Sequence, residues 1–124
     1  MALNFDQALG IHAHTLRVRA ERTQLLASNL ANASTPGYQA RDIDFAAAMQ
    51  RSAQDAQLDT LGGWGTGVAG EAKYRVPNHP SADDNTVEVG VEQALFSQNT
   101  SDFQVSLTFL NMKISGLQSA IKGE

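Results

Sequence analysis

The sequence predicts an all-α dominated fold in which long N- and C-terminal helices pack as an antiparallel coiled coil. An irregular, partly extended and glycine-rich middle joins them. Three observations carry this expectation. Apolar and small residues recur at heptad spacing from Leu9 to Leu30. A stronger heptad pattern runs from Phe96 to Ile121. Large apolar side chains are scarce: Leu, Ile, Val and Phe total 28 of 124 residues, while alanine alone supplies 18. That is only just above the level of about 20% below which chains tend toward disorder. A private globular core is therefore not expected, and neither is a large pocketed enzyme. The expected organisation is residues 1–33 as an N-terminal coiled-coil helix and 34–90 as a turn and irregular outer segment with a flexible glycine-rich loop. Residues 91–124 form a C-terminal coiled-coil helix, and the whole is one assembly domain.

In the first element Leu9, Ala13, Leu16, Ala20, Thr23, Ala27 and Leu30 alternate steps of four and three. That spacing marks a helix with one seam, and the alanines would let a partner helix approach closely. Asp6 suits the positive end of the helix dipole. Arg17, Arg19, Glu21 and Arg22 fall off this seam.

The middle is expected to hold a short helix over Ala46–Gln57, built from good or neutral helix formers. Tyr74–Val76 and Val87–Val89 show strand-like alternation. Pro77, Pro80 and Asp83-Asp84-Asn85 mark turns. Residues 62–70 hold five of the ten glycines and read as a flexible loop.

The last element carries the seam Phe96, Thr100, Phe103, Leu107, Leu110, Ile114, Leu117 and Ile121. A pattern this long needs a helical partner. Each terminal helix would span roughly 45 Å, natural for a rod and long for a small globule. Between Gln93 and Ala120 only Asp102 and Lys113 are charged, and Val105 and Phe109 also lie off the seam. A solvated helix face normally carries more charge, so this face is expected to pack against other chains.

Composition narrows the function. The formal charge of −4 gives no electrostatic footprint for nucleic acid. The absence of cysteine excludes disulfides, thiolate nucleophiles and cysteine-bound zinc. No stretch approaches the roughly 18 apolar residues of a membrane span, and no secretory signal is expected at the N-terminus. His12 and His14 stand two apart, a spacing that points them to different sides of a helix. Asp42 and Asp44 lack the cleft and third group that acid–base chemistry needs, and are expected to pair with basic neighbours such as Arg41. The glycine-rich loop lacks a Gly-Lys-Ser/Thr ending. No catalytic residue, cofactor, metal or small-molecule substrate is expected.

The most specific stretch runs from Leu26 to Tyr38. Asn29 and Asn32 share a helix face and can bond backbone groups near its end. Thr35 precedes proline and is pushed toward an extended conformation. Pro36-Gly37 is the favoured central pair of a type II turn, after which Tyr38 restarts the chain with an anchoring ring. Physics alone reads an ordinary helix-ending turn, and without the Thr35–Tyr38 stretch the chain would read as a soluble coiled-coil adaptor or secretion chaperone.

This stretch resembles the Ala-Asn-x-x-Thr-Pro-Gly-Tyr signature of bacterial flagellar axial proteins. The continuation through Arg41, Asp42, Asp44 and Phe45 is similar to the proximal rod FlgB family. A second block, Tyr74-Arg75-Val76-Pro77 and then Asn85-Thr86-Val87-Glu88, follows in that family's order. The neighbouring FlgC family is the alternative, because Asp84 stands where a glycine is common and Phe103 where a tyrosine is common. The resemblance implies a structural rod subunit exported without a cleaved signal by the flagellar type III apparatus. It implies a place in the periplasmic rod and contacts with copies of itself, FlgC-like and FliE-like proteins, the export gate and the MS-ring region. The assembly interface would then be Leu9, Leu16 and Leu30 with Phe96, Phe103, Leu107, Leu110, Ile114, Leu117 and Ile121.

Overall fold

A computed structural model describes residues 5–58 and 70–123. Helix α1 covers Phe5–Ala31 and helix α3 covers Val89–Lys122. They pack antiparallel: Asn29 lies beside Glu92, Thr23 beside Asn99 and Arg19 beside Asp102. Strand β1 is Arg41–Ile43, helix α2 is Phe45–Leu58 and strand β2 is Ala72–Tyr74. The two strands form an antiparallel ladder with Asp42 opposite Lys73. Most of the glycine-rich stretch expected to be flexible lies outside the described residues.

The middle is more regular than its composition suggests. Asp44 caps α2, its carboxylate accepting the Ala47 N–H at 3.1 Å, the ordinary way an aspartate satisfies a free first-turn donor. The helix then buries Ala48 against Val18 and Ile43, with Leu25 and Phe45 packed around them. Gly70 passes so close to Ile43 that a Cβ there would lie 2.5 Å from its Cγ2, so only glycine fits. The expected strand over Val87–Val89 is absent. The Thr86 N–H is spent on the Tyr38 carbonyl at 3.0 Å and the Val87 N–H on the Asn85 side chain at 2.8 Å. Val89 already opens α3. The other strand falls at Ala72–Tyr74 rather than Tyr74–Val76.

The coiled-coil phase differs from the expectation by one residue at alternate positions. Leu16, Thr23 and Leu30 are half-buried, but Ala13, Ala20 and Ala27 face solvent. The intervening inward positions belong to Arg19 and to Leu26, which is fully buried. Arg19 and Arg22 are therefore not off the seam: each is largely covered and ion-paired. In α3, Asn99 is buried and Thr100 exposed. Arg19, Leu26 and Asn99 thus stand in place of Ala20, Ala27 and Thr100, the small residues that spacing alone favoured.

Burial is confined to one end of the hairpin. In α3 Glu92 and Asn99 are buried, and no described residue beyond Asn99 is. From the Arg19–Asp102 pair, α3 runs on past the first described turn of α1. Phe109 and Met112 are 56% and 63% exposed, Ile114 44% and Ile121 62%.

Candidate functional site

The turn after α1 forms as its residue types dictate. Gly37 takes φ of 71°, the left-handed value a type II turn requires. The Tyr38 N–H closes the turn onto the Thr35 carbonyl at 3.2 Å. Pro36 and Thr35 are exposed, Tyr38 half-buried.

The segment 83–86 grips this turn from the far side of the sequence. The buried Asn85 side-chain amide donates toward the carbonyls of Asn32, Ala33 and Thr35 at 2.9–3.0 Å. Those oxygens follow the last helical turn; the Asn32 and Thr35 carbonyls also accept the Thr35 and Tyr38 N–H groups, so Asn85 adds a second bond to each. The Gly37 N–H reaches the Asp83 carbonyl at 2.8 Å, and the Ala40 N–H reaches the Thr86 hydroxyl at 2.7 Å. Asp84 adopts φ of 57°. This is the position where glycine is common in the resembling family, and aspartate is among the few other residues that tolerate it. Asn32 caps its own helix by donating to the Ser28 carbonyl at 2.8 Å.

Asn29, fully buried, acts as a side-chain strand partner for Arg41. Its amide nitrogen donates to the Arg41 carbonyl at 2.8 Å and its oxygen accepts the Arg41 N–H at 3.1 Å. The same nitrogen donates to Glu92 at 3.0 Å. The Tyr38 hydroxyl adds a contact to the Asn29 oxygen at 3.4 Å and another to Ser28 at 3.1 Å. Nearly every hydrogen-bonding position of Asn29 is in use, which is what makes a fully buried amide tolerable.

A chain of ions runs through the same region. Arg22 of α1 clasps Asp42 of β1 with two bonds of 2.8 and 2.9 Å. Arg75, just past β2, reaches the same carboxylate at 2.9 Å and spans to Glu92 of α3. Two cations and two anions thus alternate across α1, β1, the segment after β2 and α3. Burial pushes the Asp42 carboxyl up, but Arg22, the Ile43 N–H and Arg75 outweigh it and hold it below the ordinary carboxylate range. The hydrogen bond it donates to Asp42 holds the Arg22 guanidinium above its usual value against desolvation. Asp42 does not pair with Arg41, its neighbour: successive strand residues face opposite sides, and Arg41 is exposed. Asp44 caps α2, and Phe45 lies beneath the Arg19 guanidinium at 4.2 Å.

The expected seam residues divide by position. Leu9, Leu16, Leu30, Phe96, Phe103, Leu107, Leu110 and Leu117 are half-buried, whereas Ile114 and Ile121 are exposed. Arg22, Glu92 and Asn99 escaped the sequence reading. One signal was available: Val18, Arg22, Leu26 and Asn29 follow each other by four, four and three, a helical stripe on which two polar residues interrupt two apolar ones. Among the described residues, no group of three or more acidic or histidine side chains could hold a metal ion. No described helix is long and apolar enough to cross a membrane.

Residues 9–39, which contain α1 from its second turn and the whole Thr35–Tyr38 turn, match the family described as flagella basal body rod protein. The flagellar basal body rod protein FlgB of Cereibacter sphaeroides is 50% identical over 97% of this chain and 98% of its own. The chain belongs to the FlgB family of flagellar basal body rod proteins. The relatives of that name in Aeromonas hydrophila and Escherichia coli are 43% and 38% identical over 100% and 94% of this chain. The FlgB family is one of structural rod proteins rather than enzymes, and its place is the flagellar basal body. The Thr35–Tyr38 turn lies within the matched residues, whereas the segment 83–86 that grips it lies outside them.

Proposed function

We propose that the chain is a structural subunit of the proximal rod, assembling helically with copies of itself and with related rod proteins to transmit torque. The observation that supports this reading is the bare end of the hairpin. Phe109, Met112, Ile114 and Ile121 remain exposed on a helix whose polar face is nearly uncharged. Phe109 and Met112 lie on one side of α3 and Ile114 and Ile121 on another, and large apolar side chains exposed on more than one side of a helix mark contacts with other chains. Heterologous contacts between such surfaces propagate as open helical assemblies rather than closing as dimers. The seam residues from Phe96 to Ile121, with Leu9, Leu16 and Leu30, form the assembly interface, and the Thr35–Tyr38 turn redirects the chain from the helical layer outward.

In this reading the subunit is exported by the flagellar type III apparatus without a cleaved signal and resides in the periplasmic rod. Its neighbours are FlgC-like and FliE-like proteins, the export gate and the MS-ring region. Leu110→Asp tests it: the variant is made in normal amount, assembles no rod and gives no motility. A motile strain carrying Leu110→Asp overturns the assignment of the seam.

A further inference from the structure

Residues 71–84 lie over the hairpin as a strap whose side chains are all exposed except Arg75 and Pro77. Its ends are tied by backbone: the β1–β2 ladder and the Arg75 N–H on the Ala40 carbonyl at one end, the Asp83 carbonyl under Gly37 at the other. The Arg51–Glu71 ion pair beside it is more than half exposed on both sides, and such pairs add little. Asn78 also holds Glu88, at the start of α3, through its N–H at 3.0 Å and its side-chain amide at 2.9 Å, but both bonds are exposed. Arg75 is the strap's side chain that reaches inward, to buried Glu92 and to Asp42.

We propose that Arg75 is a latch. It fastens the strap to the α1–α3 hairpin by bridging Asp42 and Glu92, and the strap opens and recloses as a unit while the hairpin stays helical. The balance of forces supports two states. Closed, Glu92 is wholly buried and Arg75 largely so, and their attraction offsets a desolvation cost of similar size. Open, water reaches both ions and returns that cost. Opening is then far cheaper than the depth of Glu92 suggests. Arg22 keeps Asp42 paired in either state, so β1 stays fixed to α1 when the strap leaves.

Limited trypsin digestion of the purified chain reads the opening directly, because Lys73 lies in β2 with an exposed side chain and a backbone held in the ladder. Arg75→Met raises cleavage after Lys73 by about tenfold or more, while cleavage after Arg19 and Arg22 inside α1 keeps its wild-type rate. Arg75→Lys falls between, since a lysine serves one carboxylate but cannot fork to two. No increase at Lys73, or an equal increase at the α1 sites, overturns the latch. Should Arg75→Met fail to fold, native-state hydrogen exchange on the unaltered chain decides. The Arg75 N–H is less protected than that of Leu26 by about tenfold or more if the strap opens alone. Equal protection means that it opens only with the whole fold and ends the proposal.

Discussion

The two ends of the α1–α3 hairpin are made from the same pair of helices and differ in what they bury. At the turn end, Val18, Leu26, Asn29, Glu92 and Asn99 are enclosed, and the middle of the chain folds back over them. At the other end, α3 runs on with apolar side chains facing outward and no described residue buried. The turn end specifies one arrangement through directional contacts: an amide that pairs with a backbone, a chain of four ions, an asparagine that caps a helix from fifty residues away. Such networks tolerate few alternatives, because each half-made contact leaves a buried polar group exposed to its full desolvation cost. The open end specifies little by itself. It offers nondirectional apolar surface, which gains nothing until another chain covers it.

The largest break in this comparison comes from Asn29→Ala. It orphans both Arg41 backbone groups and removes a partner of buried Glu92, so stability falls by about 3 kcal/mol, read as a lower urea midpoint. Acid acts on the same end. The folded Asp42 carboxyl lies below its unfolded value. Its contribution to stability is therefore complete above the unfolded value of about 4 and is lost as pH falls through the lower folded value. Thermal melts as a function of pH show that acid limb, and Asp42→Asn flattens it. Gly37→Ala isolates the backbone cost of the turn, because a Cβ there meets nothing while φ stays at 71°. About 1 kcal/mol is lost, again as a shift of the urea midpoint. Asp84→Gly runs the other way, relieving a left-handed aspartate for a gain of under about 1 kcal/mol in the same assay. The smallest effect belongs to the open end. Ile114→Asp changes the melt of the isolated chain by less than about 0.5 kcal/mol, yet it blocks rod assembly and motility.

What was legible in the sequence follows the same divide. The Thr35–Tyr38 turn was readable because its demands are local: proline fixes one angle and glycine supplies the next. The long helices were readable from heptad spacing. Their phase was readable only at one of the two inward positions, since Ala20 and Arg19 are adjacent and charge made the arginine look like a surface residue. Arg19 and Arg22 turn inward because Asp102, Asp42 and the Phe45 ring meet them there. Those partners lie 20 or more residues away along the chain, and no periodicity announces them. Asn85 is the same case, visible as part of a turn but not as the cap of a helix ending at Ala31. Val87–Val89 alternates like a strand, yet its neighbours' hydrogen bonds were already committed to the turn.

The central claim is that the open end is finished by neighbouring subunits rather than by its own chain. Because the sequence has no cysteine, Ile114→Cys provides a single reporter there. Maleimide labelling of that thiol is fast in the purified chain and strongly suppressed in isolated basal bodies if a neighbouring subunit covers it. Equal labelling in the two would contradict the account.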